Sequence, residues 1–209
     1  KLGIIKNKKI SKKLILSSKF KKYDYIINHF IIYLIKIILP FYYCWLKNYM
    51  IISIETSTSV LSLSLLNKES VIDHISVPFK NELSEIIVPT IKMFLNNNLI
   101  SFCDVSFLAV GCGPGSFTGI RSVISTATGI TISNNHIKSI GINSLAGLAM
   151  SALHEAKNLK LKYIISSIDS KKDDLFLQLF QINDNNKSLP ILAKGKIEAI
   201  KIEKLKRVN

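Results

Sequence analysis

Gly113-Pro114-Gly115-Ser116-Phe117-Thr118-Gly119-Ile120-Arg121 is the stretch on which the rest of the sequence turns. Before it, residues 105–110 are almost continuously apolar, as in a strand covered on both faces. After it, Ile120, Val123, Ile124, Ala127 and Ile130 recur at helical spacing, with Thr118 placed to cap the helix. A glycine-rich loop between a buried strand and a helix start is suited to an anion, because free backbone N–H groups gather there. It is equally suited to a tight turn that needs positive φ and close backbone approach. Three chemistries are excluded by spacing. No Gly-Lys-Ser/Thr follows, so this is not a Walker loop. Position 118 is Thr where a dinucleotide fingerprint needs Gly or Ala, and no acid follows about 20 residues on. A nucleophile elbow around Ser116 would also need Gly at 118.

Working outward, residues 51–54 are a short apolar run. Leu61, Leu63 and Leu65 alternate with Ser62 and Ser64, which predicts a half-buried strand. Residues 71–77 predict a third strand, and the three make an antiparallel meander. Leu83, Ile86, Ile87, Ile91, Phe94 and Leu95 predict a helix, which Pro89 should bend or break. Beyond the loop and its helix, residues 137–142 read as a strand and 144–156 as a helix. Residues 163–168 and 175–182 read as a hairpin. A short strand near Ile191 and a basic, helical end complete the chain. The order is β-β-β-α-β-α-β-α, then β-β, an α/β domain followed by the start of a second one. The expected division is 1–49, 50–157 and 158–209, and no internal repeat is visible.

The 209 residues carry a net charge of +14, but unevenly. Residues 1–49 hold eleven Lys against Asp24, whereas residues 50–193 hold eleven basic and eleven acidic side chains. A neutral middle section supplies no basic groove for RNA. The three cysteines, Cys44, Cys103 and Cys112, have no metal-like or disulfide-like spacing and read as small hydrophobes in a reducing, cytoplasmic protein. His29, His74, His136 and His154 form no metal pair. Residues 26–46 approach membrane-spanning length but are interrupted by Asn28, His29, Lys36 and Pro40. The regular pattern starts only at Met50, so 1–49 read as an unstructured or non-native extension, with a membrane anchor as the alternative.

Glu55-Thr56-Ser57-Thr58 lies between the first two strands. It reads as a hydroxyl-rich turn, or as the acid-and-hydroxyl turn that holds metal and phosphate in actin-type phosphotransferases. Together with 113–121, with Gly141-Ile142-Asn143-Ser144-Leu145, and with Asp169-Ser170-Lys171-Lys172-Asp173-Asp174-Leu175-Phe176, it resembles the TsaB family over about residues 50–182. That family lies in the glycoprotease-like branch of the actin-like ATPase (ribonuclease H-like) superfamily. The resemblance implies a mixed-sheet actin-like domain followed by a second, similar domain that is cut short.

It also implies a non-catalytic scaffold that pairs with a TsaD-type catalytic subunit, is joined by a TsaE-type ATPase, and forms a homodimer when alone. Such a complex transfers threonylcarbamoyl to the adenosine next to the anticodon of tRNAs reading A-starting codons, so tRNA is met indirectly. No catalytic residue or metal is expected here. The catalytic relative's His-x-x-x-His is replaced by Asn81-Glu82-Leu83-Ser84-Glu85. ATP would enter only through the assembled complex. Candidate interface residues are Ile87, Ile91, Ser122, Thr126 and Gly129, where small side chains allow close helix approach. Gly113, Gly115, Ser116, Thr118 and Gly119 are candidate anion contacts, and Glu55, Thr56 and Ser57 a vestigial phosphate turn. The competing expectation is a stand-alone actin-like phosphotransferase or ATPase using Glu55, Thr56 and the 113–118 loop.

Overall fold

The computed structural model describes residues 13–17, 49–67, 70–80, 82–170, 174–184 and 190–201. Along them run β1 (Lys13–Ser17), β2 (Met50–Glu55), β3 (Val60–Leu66), β4 (Val71–Pro78), α1 (Leu83–Asn97), β5 (Val105–Gly111), α2 (Phe117–Ser133) and β6 (Lys138–Ile142). Then come α3 (Ser144–Ser151), α4 (Leu153–Asn158), β7 (Tyr163–Asp169), β8 (Asp174–Ile182) and β9 (Ile191–Lys201). They fall into two units, one of residues 49–144 and one joining 13–17 to 145–201.

In the first unit the Leu/Ser alternation forms a strand, but not the half-buried one expected: Ser62 and Ser64 are buried along with the leucines, so both faces of β3 are covered. β3 pairs antiparallel with β2 and with β4, and β5 joins β2 in parallel, followed by β6. The mixed sheet has the order β4-β3-β2-β5-β6. Ile52, Ile54, Leu61, Leu63, Leu65, Leu108 and Val110 meet Leu83, Ile87, Ile91 and Phe94 of α1 and Val123 and Ala127 of α2 in one core. Each such aliphatic side chain contributes about 1.5–3 kcal/mol by leaving water. Helix α1 runs unbroken through Pro89. Proline removes one bond to the carbonyl four residues back, at exposed Glu85, where water can take its place. Helix α2 is capped by Ser116, not Thr118: the Ser116 hydroxyl accepts from the Gly119 N–H at 3.3 Å. Thr118 is exposed within the first turn.

The second unit holds a sheet ordered β1-β7-β8-β9. Its core joins Leu145, Leu148, Met150 and Ala156 to Ile164, Ile168, Phe180, Ile182 and Ile191. The break between units therefore falls at 144/145, not at 157, because α3 and α4 bury their apolar side against β7 and β8. Three further expectations need correction. The basic stretch from Lys194 is not helical up to Lys201: it continues β9, paired antiparallel with β8. Its charged, exposed residues suit an edge strand. Lys13–Ser17 is not unstructured: it lies parallel to β7 over its whole length, and Leu-Ile-Leu has the β-propensity for it. A repeat does exist, though only in topology. β7–β8–β9 is a meander like β2–β3–β4, and each first strand ends Ser-Ile-acid, at Glu55 and at Asp169. So short a sequence match is invisible without the pairing.

Among the described residues no helix is long and apolar enough to cross a membrane. The 26–46 run, Cys44, His29 and the hairpin tip 171–173 lie outside the described residues.

Candidate functional site

Parallel strands β2, β5 and β6 end on one side of their sheet. In open α/β sheets ligands gather beyond such carboxyl ends. Here the Glu55 turn, the 113–119 loop and the Ser144 junction come together. Glu55 is only 6% exposed. Its Oε1 accepts from the Ser57 N–H at 2.6 Å, and its Oε2 accepts from the Ser144 hydroxyl at 2.9 Å. A Cβ on Gly111 would collide with this carboxylate, so glycine is what makes room for it.

Further bonds tie the three segments. The Thr56 hydroxyl donates to the Gly119 carbonyl at 2.8 Å. The Ser116 N–H donates to the Ser57 carbonyl at 2.7 Å, the Ser144 N–H to the Gly113 carbonyl at 2.8 Å, and the Cys112 N–H to the Ile142 carbonyl at 2.8 Å. A Cβ on Gly119 would strike the Thr56 carbonyl, and one on Gly115 would strike Ser57. Gly113 has φ +84, in the left-handed region.

This arrangement decides what the loop can do. Ser116 and Gly119, both candidate anion contacts, spend their N–H groups inside the protein, as does Ser57. The Glu55 carboxylate of the chain itself lies against Gly111, between the Ser57 N–H and the Ser144 hydroxyl. An incoming phosphate would find those three donors already committed and a carboxylate nearby. Two residues of this network, Gly111 and Ser144, carry no motif that marks them as site residues in the sequence. Ser144 opens the helix after the strand-to-helix junction, which is the available signal.

Cys103 and Cys112 are exposed rather than buried as small hydrophobes. They flank β5, one before and one after it, outside the covered part of the strand. Burial of the thiol nevertheless pushes the Cys112 pKa up, opposed by its backbone bond with Ile142 and reinforced by the charge of Glu55.

The helical layer forms the second candidate surface. Ile87 and Ile91 are each 1% exposed and sit in the core, so they do not present side chains outward. Their spacing marks the inner stripe of α1, not the outer one. Ile87 forms part of the floor of a groove of about 280 Å³ between α1 and α2, lined by Ser84, Val88, Arg121, Ser122, Ser125 and Thr126. Ser122 and Thr126 both line it with small side chains. Gly129 lies on the exposed side of α2 with open space where a Cβ would go. Sequence reasoning missed the exposed apolar residues of these two helices: Val88, which lines the groove, and Ile124, each 41% exposed, and Phe117, at 73%. The Arg121 guanidinium lies 5.0 Å from the Phe117 ring centroid.

Known proteins resemble this chain in both sequence and fold. A family model described as TsaD, tRNA N6-adenosine threonylcarbamoyltransferase, matches residues 79–189. The chain is 32% identical over 162 residues to the tRNA threonylcarbamoyladenosine biosynthesis protein TsaB of Buchnera aphidicola subsp. Schizaphis graminum (strain Sg), covering 75% of this chain and 74% of the relative. It is 30% identical over 135 residues to the protein of the same name from Escherichia coli (strain K12), covering 65% of this chain and 56% of the relative. It therefore spans little more than half the length of the Escherichia coli protein. YeaZ from Pseudomonas aeruginosa superposes with a TM-score of 0.60 at 18% identity, covering 73% of this chain and 68% of that one, which shows the shared fold. By sequence and by the architecture just described, the chain belongs to the TsaB family.

Proposed function

We propose that this chain is a non-catalytic subunit in the biosynthesis of threonylcarbamoyladenosine in tRNA. It pairs through the outer face of α1 and α2 with a TsaD-type catalytic subunit, or with a second copy when that partner is absent. A TsaE-type ATPase joins the pair, and tRNA and ATP are met through the assembly, in the cytoplasm. The observation that carries this reading is the α1–α2 groove, lined in part by exposed Val88, with exposed Ile124 also on α2. An open, small-residue groove between helices that carry exposed apolar side chains is suited to a helix of another subunit. The names of the relatives support the pathway. The neutral charge of residues 50–193 supports indirect contact with tRNA.

The test is co-purification of the full chain with a TsaD-type protein. Gly129→Leu should reduce retention at least about tenfold, because a leucine there stands out into the interface, while circular dichroism stays unchanged and the thermal midpoint does not fall. Undiminished retention of the leucine variant refutes the interface.

A stand-alone phosphotransferase retains one supporting feature, the glycine-rich loop at the carboxyl ends of parallel strands. It predicts ATP turnover that Glu55→Ala abolishes. The pairing reading predicts no turnover by either form, since Glu55 is held by Ser57 and Ser144 within the fold.

A further inference from the structure

The polar side chains of α2 divide by what they bond to. Thr128 and Thr131 spend their hydroxyls within the helix, on the Ile124 carbonyl at 2.8 Å and the Thr128 carbonyl at 3.0 Å. Ser122, Ser125 and Thr126 instead line the α1–α2 groove with Ser84, and none of these four hydroxyls bonds to a described residue. A helical Ser or Thr either folds its hydroxyl back onto the preceding turn or turns it outward, and these four open on one cleft. Arg121, the one charged residue of α2, lines the same cleft. Its guanidinium lies over the Phe117 ring, a contact that engages the charge and leaves its N–H donors without acceptors. It makes no ion pair with a described residue, and Glu85, the acid of α1, is exposed and not paired with it. Among the described residues the groove thus offers one cation, four hydroxyls and no acid.

We propose that this groove takes an acidic side chain, Asp or Glu, from a helix of the TsaD-type subunit, and that Arg121 is the residue that selects it. The assignment rests on the pairing proposed above and adds what the partner must carry. A carboxylate accepts from a guanidinium through both oxygens, and its remaining lone pairs accept from hydroxyls, so it matches the whole lining. An arginine already held over a ring loses less side-chain freedom on binding than a free one. Buried Ile87 at the floor and Val88 in the wall keep water from part of the site, which strengthens a charge-assisted bond there. The small hydroxyl side chains let a partner helix come close enough for its short acidic side chain to reach Arg121.

Retention of a TsaD-type protein on variants of the full chain tests it, with Gly129→Leu as the reference for pairing itself. Arg121→Ala should weaken retention about tenfold, and Arg121→Glu by more, because its charge then opposes the partner's. Arg121→Lys should recover only part of the loss, since an ammonium lacks the fork that meets both oxygens. Phe117→Leu keeps an apolar side chain but removes the ring, and should weaken retention about two- to fivefold. Circular dichroism and thermal midpoints should hold in all of them, because both residues are exposed. Changing one Asp or Glu on the partner's docking helices to Lys should restore retention of Arg121→Glu. Undiminished retention of Arg121→Glu beside a loss in Gly129→Leu overturns the carboxylate assignment and leaves the pairing standing. A loss in Arg121→Glu that no acid-to-lysine change in the partner reverses also overturns the assignment. So does a loss of self-association alone, which would place Arg121 between two copies of this chain. Undiminished retention of both variants, or no retention of the unaltered chain, overturns the assignment and the pairing together.

Discussion

The meanders β2–β3–β4 and β7–β8–β9 begin alike: each first strand ends Ser-Ile-acid, and each pairs with an antiparallel neighbour. Their continuations set them apart. After the first meander the chain goes on through α1, β5, α2 and β6, and these deliver Gly111, Gly119 and Ser144 to the Glu55 turn. Glu55 is buried and held by two donors, and β3 is covered along its whole length. After the second meander there is no further described strand, Asp169 remains half-exposed, and most of β8 is half-buried. The same local signature thus ends in a buried acid in one sheet and, among the described residues, a half-exposed acid in the other. The chemistry of an acid at a strand end is set by the elements that close over it, not by its motif.

The comparison is most strongly broken by removing a core. Phe94 is among the largest fully buried side chains of the first unit, and Phe180 of the second. Phe94→Ala and Phe180→Ala should each cost about 3–5 kcal/mol, read from urea unfolding. Hydrogen exchange should accelerate in α1 and β3 for the first and in β7 and β8 for the second. A loss below about 1 kcal/mol in either would mean that its core is not the one described.

The two acids separate next. Glu55→Ala leaves the Ser57 N–H and the Ser144 hydroxyl without their shared acceptor inside the protein, at a cost of about 2–3 kcal/mol. Asp169→Ala should cost under about 1 kcal/mol, as at other partly exposed positions. Equal losses would erase the distinction between the buried acid and the half-exposed one. Within α2 a matched pair gives the same contrast. Gly119→Ala forces a methyl onto the Thr56 carbonyl and should cost about 1–3 kcal/mol. Gly129→Ala meets open space and should gain up to about 1 kcal/mol from helix propensity. A destabilised Gly129→Ala would show that this helix face is not open.

The first sheet and its helices were legible because their signals are periodic and long: alternating Leu and Ser in β3, and apolar spacing in α1 and α2. The loop was legible because Gly113, Gly115 and Gly119 meet backbone constraints that few residues satisfy. The lock on Glu55 was not, since Ser144 lies 89 residues away and a serine after a strand carries no local mark of its partner. Nor was the pairing of β1 with β7, which only non-local register defines. The direction of Ile87 and Ile91 was misread because an apolar stripe announces burial before it announces a partner. β9 was misread because Lys and Glu have good helix propensity, and an edge strand accepts them equally well.

The smallest predicted effect concerns the step that only the first meander takes, from β5 through the loop into α2. Ser116 caps that helix by accepting from the Gly119 N–H, while its own N–H is held by the Ser57 carbonyl. Ser116→Ala removes the side-chain acceptor and keeps the backbone bond, so it should cost about 1 kcal/mol. Thr118→Ala, inside the first turn and exposed, should change stability by less than about 0.5 kcal/mol. Urea midpoints of the two variants decide between the caps. If Thr118→Ala were the costlier change, the helix would start where its sequence alone suggests, and the Gly119 N–H would be free for an anion. If Ser116→Ala is costlier, that donor is already spent, and the loop holds a helix in place rather than a phosphate.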